Sequence, residues 1–214
     1  YWISEHHSMP AIASSAPEVL LSRIAALTDH IRVGSGGVML SYYSSLKVAE
    51  SFRVLHALYP DRIDVGVGRA PGGTQVSSVA LSRTHEPPNI DDFPRQVVEL
   101  QAFLTDAFTP EHPFAKIRTS PAAPGAPDLW LLGSSGYSAM LAAQLGLPFS
   151  YAHFIQPIDG AEVGAAYRAR FQPTDANPEP YLTIGVSVLV ADDAEEARRL
   201  TSSLRLWRRR LMTK

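Results

Sequence analysis

The chain has 214 residues, 45% of them hydrophobic, with 19 Lys and Arg against 21 Asp and Glu and no cysteine. That length suffices for one sizeable core, and a net charge of −2 with scattered bases leaves no electrostatic footprint for nucleic acid. The absence of cysteine excludes disulfides, thiolate nucleophiles and Cys-ligated metal centres, while no apolar run reaches the ~18 residues of a membrane helix and no basic-then-apolar leader opens the chain, so small-molecule partners and a cytoplasmic setting are expected.

Short β-rich runs alternate with amphipathic segments, the pattern of βα units and a parallel sheet in one α/β domain over residues 1–214. The first strand, Tyr1 to Glu5, runs into Glu5-His6-His7. Ser15 to Glu18 then reads as a capping box with proline in the first turn, opening a helix with Leu20, Ile24 and Leu27 on one face. The second strand, Ile31 to Leu40, contains Gly34, Gly36 and Gly37, and the helix after it carries Val48, Phe52, Leu55 and Tyr59 on one stripe until Pro60 ends it. Arg62 to Gly68 is the third strand, followed by Arg69 and a long loop, Ala70 to Ile90. Val97, Leu100 and Leu104 mark a helix after an aspartate start, and a second long loop, rich in proline, spans Thr109 to Pro127. Loops of that length in compact domains tend to be lids or binding loops. Asp128 to Leu132 is the fourth strand, and Gly133-Ser134-Ser135-Gly136 turns it into a helix closed by Gly146. Pro148 to Ala152 and Tyr181 to Ala191 are the last two strands, and a helix from about Asp192 carries acids at its start and Arg208-Arg209-Arg210 at its end, matching the helix dipole.

The chemically unusual residues fall at the carboxyl ends of these strands: Glu5-His6-His7, the glycines of strand two, Arg69, Gly133 to Gly136, and His153. An open doubly wound sheet gathers ligand groups at one switch point, whereas every strand of a (β/α)8 barrel ends at one mouth; five loaded ends favour the barrel. The histidine pair is either structural at a rim or contains a proton-transfer group, imidazole being the side chain best suited to that near neutral pH. It lacks the spacing of a zinc site, and no metal is expected. Glycines inside a strand mark a bulge, tight packing or the approach of a flat ligand. The amides at the helix start after Gly133-Ser134-Ser135-Gly136, with the Ser134 and Ser135 hydroxyls, form a phosphate site or else an ordinary serine cap. Arg69 is a fixed cation for the same anion or a surface ion-pair partner. His30, His56, His85 and His112 have no such context and read as surface or loop histidines.

Three blocks, WISEHHSMPAIASSAPEVL, IRVGSGGVMLSYYSSLKVAESFRVLHALYPDRIDVGVGRAPGG and LWLLGSSGYSAMLAAQLGLPFSYA, resemble the bacterial luciferase-like flavin-dependent monooxygenase family, nearest its uncharacterised bacterial branch. The resemblance runs from Tyr1 to about Leu206. It implies a TIM barrel that takes reduced FMN, as a dissociable co-substrate delivered by a separate flavin reductase, reacts it with molecular oxygen, and passes one oxygen atom to a small organic substrate, as a homodimer. It implies that His6 is the catalytic histidine, with Glu5 beside it in the cofactor site and Glu5 or a neighbouring carbonyl fixing its tautomer. It places Gly36 and Gly37 where related enzymes have a non-prolyl cis peptide under the flavin ring. Arg69 is implied as the flavin-phosphate arginine, and Gly133, Ser134, Ser135 and Gly136 as the phosphate-binding turn. Sister branches use the deazaflavin F420 for hydride transfer, which stands as the alternative. The family barrel also has a strand before Tyr1 and another after Lys214, so the resemblance implies an internal piece with its first and last strands missing, six of eight, and a truncated, non-catalytic flavin-binding product is the third reading. Ser41, Tyr42 and Tyr43 replace the family's commoner LPNHxPL style of segment, which reshapes the pocket or the dimer contact.

Overall fold

The computed structural model describes residues 1–70, 74–82 and 84–212; residues 71–73 and 83, within the Ala70 to Ile90 loop, and residues 213–214 lie outside the described residues. Its strands are β1 (Trp2–Ile3), β2 (Val33–Ser35), β3 (Val38–Met39), β4 (Ile63–Gly68), β5 (Asp128–Gly133), β6 (Phe149–Tyr151) and β7 (Leu182–Ile184). All pair in parallel, in the order β1-β2-β4-β5-β6-β7, with β3 also on β4. The connections carry α1 (Pro17–Ala26), α2 (Ser45–Leu58), α3 (Gln75–Leu81), α4 (Phe93–Thr105), α5 (Gly136–Leu145) and α6 (Gly160–Arg170); α7 (Ala194–Leu200) and α8 (Ser202–Met212) follow β7. Spatial order therefore follows chain order, without the reversal that defines a doubly wound sheet.

The alternation of side chains along a strand divides the sheet into two faces. Val33, Ile63, Val65, Val67, Leu129, Leu131, Phe149 and Tyr151 form one hydrophobic layer with Leu21, Phe52, Leu100, Ala142 and Tyr167 of the helices. The intervening residues Asp64, Trp130, Ser150 and Thr183 line the opposite face with Trp2. That face is concave. Trp2 of β1 and Trp130 of β5 meet edge to face with ring centroids 5.1 Å apart, although β2 and β4 lie between them; in a flat sheet strands that far apart are roughly 14 Å from each other. Trp2 Nε1 also donates to Asp64 Oδ2 at 2.8 Å over Gly34, where an added Cβ would lie 2.6 Å from Asp64 Cβ. The curl thus depends on a position without a side chain.

Several sequence expectations change. The capping box at Ser15 is absent: α1 begins at Pro17 after Ala16, with no side-chain cap, and it buries Pro17, Leu21 and Ala25; of the expected stripe Ile24 packs half-buried on the core, while Leu20 and Leu27 are 43% and 64% exposed. The second strand is broken into β2 and β3 by Gly36–Gly37, a cis peptide. The last strand stops at Ile184, because only β6 is there to pair with and only that far. The final helix breaks at Thr201 into α7, capped by Asp193, and α8. Val48, Phe52 and Leu55 of α2 and Val97, Leu100 and Leu104 of α4 are buried as the periodicity requires, while Tyr59 caps the end of α2 half-buried.

The two long loops lie at opposite edges. Ala70 to Ile90 follows a strand and so starts at the carboxyl edge. Thr109 to Pro127 joins the end of α4 to the start of β5, at the amino edge, where it is fastened to α2: Arg53 donates to the Pro121 carbonyl at 3.1 Å, and His56 Nε2 to the Pro124 carbonyl at 3.0 Å. It is not a lid over the strand ends. His56, expected at the surface, is 4% exposed, and His112 stacks on Phe108 at 4.5 Å.

Candidate active site

Parallel pairing puts all carboxyl ends on one edge, and the register aligns them: Met39 stands opposite Gly68, Gly68 opposite Leu132, and Gly133 opposite Tyr151. Arg69 therefore leaves the sheet beside the Gly133 to Gly136 turn. Its guanidinium carbon lies 4.1 Å over the ring centroid of Tyr137, the second residue of α5, a cation–π contact that holds the cation at that helix start. The serine-cap alternative does not apply, since Ser135 occupies the cap position and its side chain makes no capping bond. The α5 start thus lacks the side-chain acceptor that ordinarily occupies its amides. Gly133 packs too closely for any side chain, a Cβ there falling 2.6 Å from Ser138 Oγ, whereas Gly136 has open space. Arg69, backbone amides at a helix positive pole and the exposed hydroxyl of Ser135 are donors of the kind that hold a phosphate.

Across the sheet, β1 leads into a turn closed by the His6 N–H donating to the Ser14 carbonyl at 3.0 Å, with Ser8 at φ 53°. Glu5 is 3% exposed. Its Oε1 accepts from the Tyr43 hydroxyl at 2.6 Å and pairs with His7 Nε2 at 2.9 Å, and its Oε2 accepts from the Met39 N–H at 2.9 Å. Burial first, and then the bond to Glu5, push the Tyr43 hydroxyl's ionisation up. One expectation is revised here. The Glu5 side chain is turned into the protein, with both oxygens engaged by the chain's own donors. It orients His7, two residues along and on its own side, and not His6.

Gly36 and Gly37 lie between these two regions. A Cβ on Gly36 would meet Trp2 Cβ at 3.1 Å, and one on Gly37 would meet the Gly66 carbonyl and Leu132 Cδ1 at 2.7 Å. Packing on the concave face excludes a side chain at Gly37 and is tight at Gly36, and their peptide is cis as the resemblance implies. Tyr42 hydrogen-bonds Ser78 of α3, tying the segment after β3 to the Ala70 to Ile90 loop. Sequence reading passed over Tyr137 and gave Tyr43 no partner. The position of Tyr137 directly after the glycine-serine turn was the available signal.

A hollow of about 700 Å³ occupies the concave face toward the strand starts, lined by Trp2, Arg32, Asp64, Asp128, Trp130 and Tyr181. Arg32 pairs with both Asp64 and Asp128 there. Burial pushes the Asp128 carboxyl up and Arg32 pulls it back. Among the described residues no group of three or more His, Asp or Glu side chains is arranged to hold a metal ion, and no helix is long and apolar enough to cross a membrane.

The luciferase-like monooxygenase family model matches residues 1–213. The Bacillus subtilis protein YwcH is 48% identical over 204 residues, covering 95% of this chain and 61% of its own length. The N-acetyl-S-alkylcysteine monooxygenase of the same species is 43% identical over 201 residues, covering 93% of this chain and 59% of itself. The solved structure of apo-MsnO8 superposes with a TM-score of 0.89 at 47% identity, over 99% of this chain and 62% of that one. The chain thus spans about three fifths of the length of the relatives it matches.

Proposed function

The chain belongs to the luciferase-like monooxygenase family, and from that premise we propose that it forms the larger part of a (β/α)8 barrel that uses reduced FMN and molecular oxygen to oxygenate a small organic substrate. The observation that carries this reading is the meeting of Arg69 with the uncapped start of α5 at the carboxyl edge of the sheet. In this reading the α5 amides, Ser134 and Ser135 bind the flavin phosphate, and Arg69 neutralises it while Tyr137 holds the guanidinium in place. Gly36 and Gly37 give the flat ring a surface free of side chains. His6, on the turn closed through Ser14, holds or moves the proton that oxygen transfer requires. Bound reduced FMN supplies the electrons and the oxygen-activating carbon, and a separate reductase supplies the reduced cofactor.

The test is a titration of the chain with oxidised FMN, with FMN photoreduced under anaerobic conditions, and with F420, each at low and high inorganic phosphate. The expected result is selective binding of reduced FMN, weakened by phosphate and by roughly ten- to a hundredfold in Arg69→Ala, the loss of charge-assisted hydrogen bonds to a phosphate. Preference for F420 would replace oxygen chemistry with hydride transfer. Failure of all three to bind would overturn the reading.

A further inference from the structure

Resting on that functional reading, we infer that Glu5 and Tyr43 are positioning residues, which fix the His7 ring and lock the Glu5-His6-His7 turn to the backbone that follows Gly36–Gly37. The geometry is a three-donor clamp on one buried carboxylate. Met39 N–H comes from β3 at 2.9 Å, the Tyr43 hydroxyl from the segment before α2 at 2.6 Å, and His7 Nε2 from the turn itself at 2.9 Å. Met39 N–H can only donate, and the Tyr43 hydroxyl is turned to Glu5 as a donor. A carboxylate that accepts from both on separate oxygens is an acceptor throughout, so His7 Nε2 carries a proton and donates as well. The His7 ring therefore has one orientation and one assigned N–H, while its second nitrogen faces away from Glu5.

The clamp joins two distant parts of the chain: Tyr43 is 38 residues from Glu5 and Met39 is 34, while His7 is two residues along. A buried network whose polar atoms are all satisfied is rigid, and removing one member leaves the others short of a partner. His6 sits between two residues that this clamp holds, so Tyr43 and Glu5 contribute to where the turn carries it on the rim. Tyr43 belongs to Ser41-Tyr42-Tyr43, the segment in which this sequence departs from the style common in the resembling family.

The experiment is imidazole N–H exchange measured by NMR on the ¹⁵N-histidine-labelled chain without ligand, with His7→Gln assigning the signal. The wild type is expected to show a protected His7 Nε2–H. In Tyr43→Phe that proton should exchange about tenfold faster, the loss of one hydrogen bond to a charged group, while the core amides of Val65 and Leu131 keep their rates. In Glu5→Gln it should be unprotected, and adding Tyr43→Phe should change nothing further. A His7 proton on Nδ1 instead, an unchanged rate in Tyr43→Phe, equal acceleration of the core amides, or additive effects in the double variant would each overturn the inference. Should Glu5→Gln fail to fold, Tyr43→Phe against the core amides decides alone. No FMN enters these measurements, so a wild type that binds no reduced FMN removes the functional reading, while the exchange data still decide whether the clamp exists.

Discussion

Among single residues, the glycines of the concave face separate packing from ligand approach. An alanine Cβ at position 66 would fall 2.0 Å from the Ser35 carbonyl, and one at position 37 would fall 2.7 Å from the Gly66 carbonyl, backbone atoms that cannot turn aside. At position 68 it would meet nothing within 4 Å. Gly66→Ala and Gly37→Ala are therefore expected to destabilise the chain by about 3 kcal/mol or more, at or above the upper end for overpacked cores, and Gly68→Ala by less than about 1 kcal/mol from its side chain. Urea midpoints of the three variants check this, and equal losses would show that backbone conformation, not crowding, governs these positions. Sequence alone exposed Gly36, Gly37, Arg69 and the Gly133 to Gly136 turn, because residues that are costly inside a strand or abrupt after one stand out locally. It could not expose the partner of Glu5, since the choice between His6 and His7 and the reach of Tyr43 depend on where a chain 38 residues away returns.

Regular elements with strong stripes were legible, and their attachments were not. α2 and α4 bury the predicted faces because Val48, Phe52, Leu55, Val97, Leu100 and Leu104 leave one choice of rotation. α1 has apolar residues on more than one side, so the sheet, not the sequence, decides that Leu21 and Ala25 go in. Arg53 shows what periodicity misses: a cation on the buried face of α2, 5% exposed, donating to the Phe103 and Leu104 carbonyls at the end of α4, to Asp106 at 2.7 Å and to Pro121. Arg53→Met leaves three carbonyls and a carboxylate without their donor, and a loss of about 3–5 kcal/mol is expected. Arg53→Lys recovers little of it, because one ammonium cannot span the fork. Tyr167 of α6 closes the far side of the layer, its hydroxyl donating to the Leu147 carbonyl at 2.8 Å. Burial pushes its ionisation from 10.0 up to about 12. The folded chain therefore keeps a proton that the unfolded chain gives up, so the contribution is whole below pH 10 and is lost as pH rises from 10 through about 12. Chemical denaturation across that window should show a steeper alkaline loss of stability in the wild type than in Tyr167→Phe, which is the less stable of the two at neutral pH.

For the molecule as a whole, chain order was the legible quantity. Five loaded strand ends favoured a barrel over a doubly wound sheet, and the observed order without reversal, with the Trp2–Trp130 contact across the hollow, agrees with a curled arc. The extent of the last strand was not legible: the alternation through Val186, Val188 and Val190 marks a strand only where a neighbour pairs with it, and β7 pairs with β6 as far as Ile184. Beyond that point the three valines are 57%, 75% and 85% exposed on a segment with no regular secondary structure. Among the described residues β1 and β7 each pair on one side alone. Open strand edges beside exposed apolar side chains are templates for pairing with another chain, and a lysine placed there suppresses it. The chain by itself is therefore expected to self-associate in proportion to concentration, seen by light scattering after size exclusion. Val188→Lys and Val190→Lys should each reduce the association, while Arg69→Ala, at the opposite side of the site, leaves it unchanged. A strictly monomeric chain across micromolar to near-millimolar concentrations would mean that the valines are covered in solution by the chain itself, and that residues 185–191 pack against it rather than standing exposed after β7.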